Sequence, residues 1–116
     1  MTDTPRFDPA RLDELREVGA MTETPLVRML LTTYLDGLGE LSGRVIDGVL
    51  SGDAAAQKLA AHSLKSSSAQ LGALRLSAVC QQLEHADAAT ARPLLDVFRE
   101  ELDAIRPILE RERDQA

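Results

Sequence analysis

Residues 61–84 read AHSLKSSSAQLGALRLSAVCQQLE, and the fold turns on how they are parsed. Gly72 divides the stretch. The segment before it predicts a helix over about 53–71, and Ala73, Leu76, Val79, Cys80, Leu83 and Ala86 mark the apolar stripe of a second helix over about 73–86. At ~100° per residue, with Ala60 at zero, Asp53, Ala56, Leu64, Ser67 and Leu71 fall within about 40° of one line. That line predicts a buried stripe rich in small residues, suited to close helix packing. His62 falls about 200° round, on the opposite face, together with Lys58, Lys65, Ser66 and Ala69. An exposed imidazole is therefore expected, one helical turn from a lysine on either side, with small partner-facing neighbours at Ala61, Ser66 and Ala69.

Outward from this pair, the pattern stays helical. Asp8-Pro9 is a helix start, because Asp can cap and Pro suits the first helical position. Phe7 and Leu12 have the spacing of a hydrophobic staple, and the stripe of Leu12, Leu15 and Val18 predicts a short helix over about 9–18 with Gly19 as its stop. Residues 1–6 are expected to fray. Thr24-Pro25 opens a long helix over about 25–51, in which Gly37 and Gly39 allow a break. Ser51-Gly52 forms a turn and Asp53 can cap the next helix. Residues 87–90 read as a short loop. A last helix is expected over about 91–113, kinked or ended early at Pro107, whose ring removes the amide that would bond the Asp103 carbonyl. The polar tail should fray. Short connections between four amphipathic helices predict one all-α domain over 1–116, an antiparallel up-down four-helix bundle with a short extra N-terminal helix lying across one end.

Composition narrows the function. The chain has 116 residues, 44% apolar, with a net charge of −6 and 3% aromatic residues, so an aliphatic helical core is expected. An acidic chain is a poor match for nucleic acid, whose phosphates need a basic face, or for an anionic membrane surface. One cysteine, Cys80, excludes an internal disulfide and suits a reducing compartment. Beginning at Met1 without a signal-like segment, the chain is expected to be a complete, soluble, cytoplasmic protein.

His62 is the residue whose setting calls for chemistry. Repulsion from two ammonium groups favours the uncharged, nucleophilic imidazole, and the same lysines could neutralise a phosphoryl group once it is carried. The plain alternatives are an idle surface histidine and ordinary solvated lysines. His85, near the end of the fourth helix, is read as a cation suited to the helix dipole. Two histidines without a Glu-x-x-His pair do not make a di-iron bundle, and no metal site is expected. Serines crowd His62, but no G-x-S-x-G elbow supports hydrolase chemistry.

Ala61-His62-Ser63-Leu64-Lys65, then Ser67-Ser68, Leu71-Gly72-Ala73, Leu76, Cys80 and Leu83-Glu84 together resemble the histidine-containing phosphotransfer (HPt) domain family. The resemblance implies a four-helix bundle displaying a phosphorylatable histidine in a two-component phosphorelay. By position, His62 would exchange phosphate with the aspartate of a receiver domain. Lys65 would stabilise the phosphoryl group, with Lys58 and Gln70 in support. The partners implied are receiver domains of a hybrid sensor kinase or a response regulator, and a monomer is expected. No cofactor is implied in this chain, because Mg²⁺ and the acidic pocket belong to the receiver; the chain would be a phosphoryl carrier and not an enzyme. Ser66 stands where the family usually has glycine, a mild change that could tune partner choice. The alternative reading is a non-catalytic helical adaptor that binds a receiver-like partner through the same face.

Overall fold

The computed structural model describes residues 4–116. They form five helices: α1 (Pro9–Met21), α2 (Leu26–Ser51), α3 (Ala54–Gln70), α4 (Leu74–His85) and α5 (Ala88–Gln115). Helices α2 to α5 close into a four-membered ring in which α3 packs between α2 and α4, and α5 between α4 and α2. Helix α1 packs on α2 and is tied to the end of α5 by Arg16 and Glu112 at 3.1 Å. The core is aliphatic around two aromatic rings, of Phe98 and Tyr34, and Phe98, Leu31, Leu38, Leu64, Leu83 and Ile105 are all fully enclosed.

Local chemistry sets the helix starts. Asp8, Asp53 and Asp87 each place a side-chain oxygen to accept from a first-turn amide, of Ala10, Ala56 and Thr90 respectively. Asp87 is thus a cap and not part of a loop, so α5 begins at Ala88, earlier than the sequence pattern indicates. Gly52 closes α2 in the left-handed conformation, with φ 75°.

Several expectations are corrected. Helix α1 runs past Gly19 to Met21. Gly19 is needed for closeness instead: a Cβ there would lie 2.6 Å from the Thr24 carbonyl oxygen, where the chain turns into α2. Helix α2 is unbroken through Gly37 and Gly39. Helix α5 continues through Pro107 to Gln115, so neither an early end at the proline nor a frayed tail is seen. Pro107 and Asp103 both lie on the exposed side, where water can serve the unpaired carbonyl. Of the segment expected to fray, residues 1–3 lie outside the described part, and residues 4–6 are tied down. Arg75 Nε donates to the Thr4 carbonyl at 2.8 Å, the Leu74 amide donates to the Arg6 carbonyl at 3.0 Å, and Arg6 pairs with the nearly buried Glu101 at 2.8 Å.

Two buried polar groups lock α3 in register. Gln57 Nε2 donates to the carbonyls of Leu83 (2.7 Å) and Ala86 (3.1 Å), which the end of α4 leaves without helical partners. Tyr34 and Ser68 hydroxyls meet at 2.8 Å across α2 and α3. Burial pushes the Tyr34 hydroxyl up to about 12, against the opposing effect of the Ser68 bond.

Candidate functional site

The middle of α3 carries His62 on the outer side of the bundle, with 60% of its side chain exposed. The buried arc of α3 consists of Gln57, Ala60, Ala61, Leu64 and Ser68. It is rotated from the predicted line because α3 lies between two neighbours and is covered on both flanks. Ala61 is therefore fully buried and cannot face a partner. Ala56 is exposed, and Ser67 is half-buried, its hydroxyl donating back to the carbonyls of Ser63 and Leu64. Ser68 is the serine that enters the core.

Helix α4 runs antiparallel beside α3. Ser77 Oγ donates to the Lys65 carbonyl at one level, and Gln57 reaches Leu83 at the other. Between those levels α4 presents Glu84 to His62. Nδ1 of His62 lies 2.6 Å from Glu84 Oε1 in a hydrogen bond. Lys65 Nζ lies 3.1 Å from the same oxygen and donates to Oε2 at 3.4 Å. His85 Nε2 lies 3.2 Å from Oε2. The Glu84 side chain is only 7% exposed, covered by these three cationic or imidazole groups. Its burial would raise the carboxyl, but the bonds from His62 and then Lys65 outweigh that and hold it below the usual carboxylate range. Glu84 is thus a carboxylate at neutral pH and can only accept. The proton of the shared bond therefore belongs to Nδ1 of His62, and in the neutral imidazole the lone pair is then on Nε2.

This differs from the electrostatics expected from sequence. The charge in contact with His62 is a carboxylate, and Lys65 is engaged by the same carboxylate rather than free. Lys58 is exposed, one turn before His62; it and Lys65 are the only lysines in the chain. Ser66 is exposed on the same face, its hydroxyl donating to the His62 carbonyl at 3.3 Å. Ala69 is half-buried two turns further on. Gln70 is exposed at the end of α3, about 12 Å along the axis from His62, and lines a separate cavity between α2 and α3 with Leu30, Tyr34 and Leu41. The structure brings together His62, Lys65, Glu84 and His85, and leaves Gln70 apart. Glu84 is the residue that sequence reasoning passed over as a motif position; its place one residue after the buried Leu83, at the edge of a stripe facing α3, was the available signal. No group of three His, Cys, Asp or Glu side chains among the described residues is arranged to hold a metal ion. No helix of the described residues is long and apolar enough to cross a membrane.

A small helical bundle that offers one oriented, solvent-facing imidazole nitrogen beside a lysine has the form of a phosphoryl carrier. Comparison with known proteins agrees. The Hpt domain profile matches residues 27–107, most of the bundle, and the chain belongs to the Hpt family. Among solved structures, it is similar to histidine-containing phosphotransfer protein B (HptB) from Pseudomonas aeruginosa PAO1, with a TM-score of 0.81 and 27% identity over 98% of this chain and 99% of that one. No curated protein sequence matches the chain significantly. The protein is a histidine-phosphotransfer intermediate of a two-component phosphorelay, a carrier and not an enzyme in its own right, of a family that works with receiver domains.

Proposed function

We propose that His62 is the phosphoryl acceptor and that transfer takes place at its Nε2. The observation that carries this is the hydrogen bond of 2.6 Å from Nδ1 to Glu84, which fixes the tautomer while the far nitrogen stays at solvent. The Nε2 lone pair attacks the phosphorus of a receiver's aspartyl phosphate. The Nε2–P bond forms, the P–O bond to the aspartate breaks, and the carboxylate leaves with the bonding electrons. The Nδ1 proton stays where it is, so positive charge grows on the ring as the bond forms. The Glu84 carboxylate, already in contact, stabilises that charge without having to move. Return of the phosphoryl group to a receiver runs along the same path backwards. Lys65 and the free Lys58 supply cations beside the phosphoryl oxygens. Ser66, exposed one turn after His62, lies where an approaching partner would pass. The partners are receiver domains of a hybrid sensor kinase or a response regulator; nucleic acid and membrane are not partners. The chain acts as a cytoplasmic monomer.

The test is incubation with a phosphorylated receiver of the host, followed by assay for acid-labile, base-stable phosphate on this chain. Wild type should label and His62→Gln should not. Equal labelling of both would place the phosphate on another side chain and rule out His62 as acceptor; labelling of neither with every receiver of the host would favour an adaptor that binds without transfer.

A further inference from the structure

Lys58 and Lys65 stand about one turn to either side of His62, but in opposite circumstances. Lys65 Nζ lies 3.1 Å from Oε1 of Glu84 and donates a hydrogen bond to Oε2 at 3.4 Å. No other group among the described residues donates a hydrogen bond to Oε2; His85 Nε2 lies 3.2 Å away without the alignment of one. The Glu84 side chain is only 7% exposed and that of Lys65 25%. If Lys65 swung out to a phosphoryl group, a nearly buried carboxylate would lose its only lysine and Oε2 its only donor. That desolvation cost holds Lys65 where it is.

Lys58 is held by nothing. It is exposed and makes no hydrogen bond or ion pair with the described residues. Its neighbours a turn before and after on α3 are Ala54, Ala55, Ala61 and His62. His62 is thus its one polar neighbour at helical spacing, and no carboxylate on α3 competes for it there. Helical side chains lean toward the N-terminus, which sets the His62 ring over the turn that carries Lys58. An ammonium on a flexible stem can meet a phosphoryl group there without giving up another partner.

We propose that the two lysines divide the work: Lys58 is the cation that bonds the phosphoryl oxygens on Nε2 of His62, and Lys65 is a positioning residue that stays on Glu84 and keeps that carboxylate charged against Nδ1. Lys65 then acts on the phosphoryl group only through the field of its fixed charge. The division rests on phosphoryl acceptance at His62. It reverses the order expected from the sequence, in which Lys65 leads and Lys58 supports.

Because these are the only lysines in the chain, their signals report the division directly. Protein carrying carbon-13 and nitrogen-15 in lysine would be phosphorylated with phosphoramidate: the N–P bond of the donor breaks, ammonia leaves, and the Nε2–P bond forms on His62. The Cε and Nζ signals, detected through carbon-bound protons at neutral pH and assigned with Lys58→Arg and Lys65→Arg, would be compared before and after. Those of Lys58 should move and those of Lys65 should stay. Lys58→Ala should slow labelling by roughly threefold or more and make the phosphorus signal titrate at higher pH, since loss of a nearby cation disfavours the dianion; Lys58→Arg should restore both. Nitrogen spectra should keep the His62 proton on Nδ1 in Lys58→Ala and show mixed tautomers in Lys65→Ala. Movement of the Lys65 signals as large as that of Lys58, or a phosphorus titration unchanged in Lys58→Ala, would overturn the proposal and leave acceptance at His62 standing. Failure of wild type to label, or undiminished labelling of His62→Gln, would overturn both.

Discussion

At His62 a single contact separates an exposed imidazole from an oriented nucleophile. Without Glu84 the ring could carry its proton on either nitrogen; with it, Nδ1 is committed and Nε2 is left to react. Replacing Glu84 by Gln keeps the shape but removes the charge that answers the growing positive charge on the ring. Transfer to Glu84→Gln should fall by roughly tenfold or more, with His62 tautomers mixed in nitrogen spectra. The same bond sets a pH dependence. Glu84 titrates below the ordinary carboxylate range when folded, so its contribution to stability is complete above that range and is lost as pH falls through the lowered folded value. A carbon-detected titration should show its carboxyl signal moving only at acid pH, below the usual carboxylate range. Movement at or above the usual carboxylate range would contradict the assignment. Cys80 is the opposite case. Burial pushes its thiol up to about 12, with Lys65 opposing, so it stays a protonated core side chain at neutral pH. Thiol reagents should leave the native protein unmodified and react only when it unfolds.

At the scale of the helices, glycines on α2 divide by what faces them. A Cβ at Gly48 would stand 2.7 Å from the Gln57 amide nitrogen, a backbone atom of α3 that cannot step aside. Gly48→Ala should therefore destabilise the protein by about 1–3 kcal/mol. Gly37 and Gly43 face open space, and alanine at either should stabilise by about 0.5–1 kcal/mol. Urea unfolding of the three variants checks the contrast; a uniform effect would contradict it. Periodicity alone made α3 and α4 legible, and it placed His62 on the outer face, because both helices are amphipathic about a single stripe. It misplaced Ala61 and left the buried Ser68 unassigned, since the angle was measured from Ala60 and a helix flanked on two sides buries a wider arc than one line describes. The partnership of His62 with Glu84 spans two helices, and helical spacing within either one cannot show it.

The whole molecule holds its reactive face by closing the ring of α2 to α5 and pinning the N-terminal segment over the junction of α3 and α4. That pinning was not legible in the sequence, where residues before Phe7 carry no apolar pattern; it depends on Arg6 meeting Glu101, distant in the chain. Glu101 is nearly buried and Arg6 is half-exposed. Arg6→Ala should lower stability by about 1–3 kcal/mol, read by urea unfolding, while leaving phosphotransfer by the folded protein unchanged. A loss of transfer at full folding would mean that the segment reaches the site. The bundle itself supplies no further chemistry: it presents one nitrogen, fixes its tautomer and keeps a lysine within reach. The most direct measurement of that claim is the position of the phosphoryl group after reaction with a phosphorylated receiver, read by phosphorus and nitrogen spectra of the labelled protein. Phosphate on Nε2 of His62, with Nδ1 still protonated against Glu84, is the expected result. Phosphate on Nδ1, on His85 or on any other side chain would contradict it.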